Sequence, residues 1–194
     1  MAYVPCSNAD LQANLVPDCN NPRVKGYEKA GVLIRKSDIA SFTANSTSNR
    51  IIEALTLKAL KKTYVVENSR KNPLPFNGTQ TTYNREQDAY DKMVQFYYEG
   101  IGGLSSEAIE GLKNDDFVLL LERKDKRGDG SFHIFGWENG LSAGNENGAQ
   151  VQDEATGYWL VTMTTQERFA EYSFFITDYE TTKTAYDLLV AASV

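Results

Sequence analysis

Apolar and polar side chains alternate with a period of two in several segments of this chain, which is the pattern of half-buried strands. Residues 30–36 place Val32 and Ile34 on one face and predict a strand. In residues 90–99, Tyr90, Lys92, Val94, Phe96 and Tyr98 share one face, and Asp91, Met93, Gln95, Tyr97 and Glu99 the other. Residues 117–123 and 132–137 are predicted as paired strands around turn residues 124–130. Residues 158–164 and 169–176 alternate as well and are predicted to form a hairpin that turns at Thr165, Gln166 and Glu167. Residues 51–67 fit two patterns. A helix would align Ile51, Leu55 and Ala59. Two strands would align Ile51, Glu53, Leu55 and Leu57, turn at Lys61 and Lys62, and continue through Tyr64 and Val66. The strand-pair reading is preferred, because the flanking pieces are strands and β-branched residues frame the segment.

Two segments carry helical signals. Residues 105–112 predict a short helix with Ser105 as its cap. Residues 177–192 predict a C-terminal helix capped by Asp178, with Tyr179, Ala185, Tyr186, Leu188 and Leu189 on its apolar side. Proline, glycine and small polar residues mark the remainder as irregular: residues 1–29 with Pro5, Pro17 and Pro22, residues 42–50, residues 68–83 with Pro73 and Pro75, and residues 139–156. The expected fold is mainly β, a sandwich or barrel with one short helix and a C-terminal helix. Residues 1–29 read as an N-terminal arm. Residues 30–194 read as a single domain with long loops at 68–83 and 139–156.

Composition agrees with a globular domain. The 194 residues are 41% hydrophobic and 24% charged, with 11 Tyr and 9 Phe. A net charge of -6 argues against affinity for a phosphate backbone. The chain has no apolar run long enough for a membrane helix, and its first residues lack the pattern of a signal peptide. Synthesis in a cytosol is therefore expected. Cys6 and Cys19 read as reduced thiols in the arm, with a disulfide formed outside the cell as the alternative.

The candidates for chemistry are weak. His133, the one histidine, stands alone in a strand without a nucleophile at informative spacing. Arg127-Gly128-Asp129 falls in a turn that wants Gly and Asp for backbone reasons. The pairs Asp115/Asp116 and Asp125/Asp129 lack the loop pattern of calcium sites. Asn45-Ser46-Thr47 and Asn77-Gly78-Thr79 match the glycosylation sequon by chance if the chain is not secreted. Gly100-Ile101-Gly102-Gly103 is a turn without the Lys-Ser/Thr of a phosphate cradle. Lys58, Lys61 and Lys62 read as a solvated turn. Trp137 and Trp159 are expected in the core or against a neighbouring subunit. No catalytic, cofactor-binding or metal-ligating residue is nominated, no cofactor is expected, and the chain is read as a non-enzyme.

Two patches resemble a known group. They are Cys19-Asn-Asn-Pro-Arg-Val-Lys-Gly-Tyr-Glu-Lys29 before a strand, and Phe135-Gly-Trp-Glu-Asn-Gly-Leu141 followed by a glycine-bearing polar stretch and Asp153-Glu-Ala-Thr-Gly-Tyr-Trp-Leu-Val-Thr-Met163. Both are similar to tail-tube or tail-ring virion proteins of tailed phages infecting Bacteroidetes, including crAss-like phages. The resemblance implies a sandwich or barrel that assembles into a closed ring, sixfold or twelvefold, in a tail tube, tail barrel or head-tail connector. It implies contact with adjacent tail or connector rings, and DNA passing through the lumen without specific binding. It places the protein in the virion tail after synthesis in the host bacterial cytoplasm, with no membrane partner.

The segments expected at subunit contacts are the N-terminal arm, residues 68–83 and residues 139–156, since long loops in compact domains are usually functional or disordered. Deletion of residues 142–152 is expected to leave a folded subunit unable to form rings. The alternative reading is a carbohydrate- or receptor-binding β-sandwich of a phage or cell surface, with Trp137, Trp159 and tyrosines stacking on sugar rings.

Overall fold

The computed structural model describes residues 22–67, 76, 78–98, 100, 103–143, 150–154 and 158–193. The strands are β1 Tyr27–Arg35, β2 Ile39–Ala44, β3 Ile51–Leu57, β4 Tyr64–Glu67, β5 Gln80–Asn84, β6 Ala89–Tyr98, β7 Phe117–Arg123, β8 Phe132–Phe135, β9 Gln150–Glu154, β10 Tyr158–Glu167 and β11 Tyr172–Phe174. The helices are α1 Gly103–Gly111 and α2 Tyr179–Ala191. Mainly β structure with a short helix and a C-terminal helix is thus what the chain adopts.

The strands form a seven-stranded sheet in the order β2-β3-β11-β8-β7-β1-β4 and a four-stranded sheet in the order β5-β6-β10-β9. Strand β7 explains the layering. Its sequence Phe-Val-Leu-Leu-Leu-Glu is apolar on both faces, as a central strand covered on both sides must be. Phe117, Leu119 and Leu121 pack with Val94, Phe96, Val161 and Met163 of the small sheet. Val118 and Leu120 point the other way, into a second core with Phe132, Ile134 and, from α2, Tyr186 and Leu189. The large sheet is therefore the middle of three layers, between the small sheet and α2. Asp178 caps α2 by accepting a bond from the Thr181 N–H at 2.8 Å.

Several expectations need correction. The hairpin of residues 158–164 and 169–176 does not form, because β10 and β11 lie in different sheets. Thr165, Gln166 and Glu167 continue β10 opposite Lys92, Asp91 and Tyr90, with Gln166 bonded to Gln87 and Asp91 and Glu167 paired with Lys92. The strand reading of residues 51–67 holds, but the two strands are not a pair. Strand β3 pairs with β2 and, in parallel, with β11, whereas β4 pairs with β1 on the opposite side of the sheet. Phe42, Thr43 and Ala44 end β2 and are not loop. Strand β1 starts at Tyr27, inside the expected arm.

The predicted long loops also contain structure. Gln80 to Tyr83 belong to β5, and Phe76 is a buried core residue. Residues 68–75 and 77 lie outside the described residues. Within 139–156, Gln150–Glu154 form β9 against β10, and Ser142 bridges to Thr164. Residues 144–149 and 155–157 lie outside the described residues. Deleting residues 142–152 would thus remove strand pairing as well as loop, and does not isolate an interface. Strand β8 stops at Phe135 because Gly136 adopts φ 78°. A Cβ there would sit 2.4 Å from the Phe117 carbonyl oxygen, so only glycine fits the turn.

Candidate functional site

One end of the space between the sheets is apolar, and the other is not. Alternation along β8 puts His133 on the same face as Phe135, toward the small sheet. On β5, Thr81 and Tyr83 stand opposite Lys92 and Tyr90, yet both stay exposed. The sandwich is open along β5, and a cleft of about 390 Å³ enters there.

Tyr27, Arg123 and His133 form the inner part of this cleft. The Arg123 Nη2 lies 3.0 Å from His133 Nδ1, and the Tyr27 hydroxyl lies 2.9 Å from the same nitrogen. A guanidinium only donates, so Nδ1 is the acceptor and the imidazole proton sits on Nε2. Burial, then the charges of Arg123 and Lys92, hold the His133 pKa well below the ordinary value, so the ring is neutral. Burial also raises the Tyr27 pKa, against the opposing pull of Arg123. Arg123 Nη2 further pairs with Glu171 at 2.9 Å. Two lining side chains keep a buried polar atom without a partner: Nε2 of His133 and Oγ1 of Thr79.

Deeper between the sheets, Lys92 and Glu167 form an ion pair with both side chains at 0% exposure. The Lys92 ammonium lies over the rings of Tyr172 at 5.4 Å and Phe135 at 6.0 Å. The second oxygen of Glu167 accepts the Glu138 N–H at 3.1 Å. Glu138 in turn accepts from the Tyr172 hydroxyl at 2.6 Å, the Arg168 N–H at 2.7 Å and Arg168 Nε at 2.8 Å. Burial pushes the Glu138 carboxyl up, but the bonds from Tyr172 and Arg168 outweigh it and hold the carboxyl below its usual range. This network fixes the chain where it crosses from β10 to β11. Its role is positioning, since each charged atom is engaged by a protein partner.

Sheet edges are the second feature. Among the described residues no strand pairs with the outer side of β4 or β2 in the large sheet. Beside β4 runs an apolar groove of about 490 Å³, walled by Tyr64 and Val66 of β4, Phe96 and Tyr98 of β6, and Ile109 and Leu112 at α1. Val65 of β4 lines it as well and is 39% exposed. On the far side of the same sheet, Phe42 of β2 is 55% exposed and meets Trp137 edge to face at 4.9 Å.

The residues singled out in the sequence fall as follows. His133 is buried in its strand, and what the sequence concealed is its company: Tyr27 and Arg123 reach it from β1 and β7. Lys92 sits in an apolar alternation and is itself buried, a signal visible in the sequence as a charge on a core face. Trp137 is half-buried against Phe42, and Trp159 is half-buried in β10 opposite Tyr98. Arg127 is engaged with Asp125 at 2.6 Å, at the start of a 3-10 turn. Asp115 pairs with Arg35 at 3.4 Å. Asn45 accepts the N–H groups of Thr47 and Ser48, an Asx turn. Lys58 and Lys61 bind the Ser37 carbonyl and Asp38 around a tip that carries exposed Leu60. Cys6 and Cys19 lie outside the described residues.

Among the described residues, no three His, Cys, Asp or Glu side chains gather as a metal site. No helix among them is long and apolar enough to cross a membrane. The chain matches no protein-family model, no curated protein and no solved structure.

Proposed function

We propose that this chain is a virion structural subunit that assembles into a closed ring of a phage tail tube, tail barrel or head-tail connector. The observation that carries the reading is the β4 edge with its apolar groove. It lies at the opposite side of the seven-stranded sheet from the β2 edge with exposed Phe42. Joining β4 of one copy to β2 of the next is a heterologous contact. It covers both open edges and, where the rotation closes, gives a cyclic ring.

In this reading the partners are further copies of the chain and the rings above and below, and the site of action is the virion tail. DNA passes through the lumen without specific binding. The net charge of -6 supports that last point, because a like-charged wall releases no counterions on meeting a phosphate backbone. The reading expects acidic side chains on the lumen face and no catalytic role.

Val65→Lys tests it by sedimentation velocity. An exposed edge position tolerates the change within about 0.5 kcal/mol, while a lysine on the edge opposes strand addition. The wild type is expected to sediment as a large closed species and the variant as a folded monomer. Equal assembly of the two would refute the role given to β4.

A further inference from the structure

The cleft along β5 has a composition that strand pairing and assembly do not explain. Its charges cancel: Arg123 is paired with Glu171 at 2.9 Å, and the third candidate for charge, His133, is held neutral. Its free polar groups are of mixed kind. His133 Nε2–H is a donor, Thr79 Oγ1 is both donor and acceptor, and both are buried without a partner. A ligand hydroxyl matches such a pair, because it accepts from one group and donates to or accepts from the other. A carboxylate or phosphate could only accept and would find no uncompensated positive charge. An ammonium could only donate.

Aromatic rings stand beside the opening. Tyr90 lines the cleft, and the ring of Tyr83, 51% exposed, lies 5.2 Å from it at an angle of 52°. Aromatic faces of this kind pack against the C–H face of a ring while hydrogen bonds hold its edges. The volume of about 390 Å³ lies within the range of small-ligand pockets.

We infer that the cleft between β5 and the large sheet binds a neutral, hydroxyl-bearing ligand of one sugar ring, a hexose, with Tyr83 and Tyr90 as its apolar surface and His133 Nε2 and Thr79 Oγ1 as its polar contacts. The site belongs to the single subunit and does not depend on ring formation.

The test titrates the full chain, followed by saturation-transfer NMR and calorimetry, with glucose, galactose and N-acetylglucosamine, and with glucuronate as the charged control. Tyr83→Ala alters an exposed position and Thr79→Val removes the unpartnered hydroxyl, and circular dichroism with thermal melting verifies that both variants fold. At least one neutral sugar is expected to bind saturably, and Tyr83→Ala is expected to weaken binding by about tenfold or more. The inference is overturned if no neutral sugar saturates the site, if glucuronate binds more tightly than the neutral sugars, or if both variants bind as the wild type does. Failure of the Val65→Lys experiment leaves this result unaffected, since that position does not line the cleft.

Discussion

Exchanging Lys92 and Glu167 for apolar residues measures how the polar half of the sandwich is held together. Both side chains are fully buried and bonded to each other. Lys92→Met leaves the Glu167 carboxylate with one donor, the Glu138 N–H. Glu167→Leu leaves the ammonium facing only the Phe135 and Tyr172 rings. Each single change strands a buried charge and is expected to cost about 3–5 kcal/mol. At about 2–4 °C per kcal/mol for a chain of this length, the melting temperature falls by roughly 6–20 °C. The double variant Lys92→Met/Glu167→Leu removes both charges and keeps the volume. It loses the bond from the Glu138 N–H, worth about 1 kcal/mol, and is otherwise near neutral or more stable. Urea denaturation near neutral pH, followed by tryptophan fluorescence, gives the four stabilities of the cycle. A coupling of several kcal/mol is expected. Single changes costing under about 1 kcal/mol each, and adding in the double, would show that the pair is hydrated and that the buried geometry is wrong.

Two further outcomes follow from local geometry. The His133 pKa is depressed in the folded state, so the unfolded chain takes up a proton that the folded chain does not. Its contribution to stability is complete above the unfolded value near 6.5 and falls as pH drops below it, by at most about 1.4 kcal/mol per pH unit. His133→Gln is expected to flatten urea-derived stability between pH 6.5 and 5, and an unchanged slope would exclude His133 as its source. Asp178→Ala removes the acceptor for the Thr181 N–H and hydroxyl. It is expected to lower the melting temperature by a few degrees and weaken amide protection in the first turn of α2, whereas Asp178→Asn retains most of both.

The local level of this fold is legible in the sequence wherever alternation is regular. Phe117–Arg123 and the 90–99 segment read directly as strands, and Asp178 marks the start of α2. Pairing partners are less legible, because period-two alternation says which face is buried and not which strand lies alongside. Ile51–Leu57 and Tyr64–Glu67 illustrate this: both are strands, yet they add to opposite sides of the sheet. Thr165, Gln166 and Glu167 read as a turn because they are polar, and the groups that engage Gln166 and Glu167, Asp91 and Lys92, are distant in sequence. Gln150–Glu154 read as loop for a related reason: an edge strand needs one pairing partner and little hydrophobic pattern. The cleft was concealed because Tyr27, Arg123, His133 and Glu171 come from four separated segments. In the sequence only Lys92, a charge inside apolar alternation, and His133, a polar ring in a strand, mark this interior as polar.

Electron-microscopy class averages of the purified full-length chain test the central claim most directly. The account predicts closed rings of sixfold or twelvefold symmetry in which the β4 edge of each subunit is covered by its neighbour. A chain that remains monomeric at every concentration, with the β4 edge and its groove open to solvent, would contradict it.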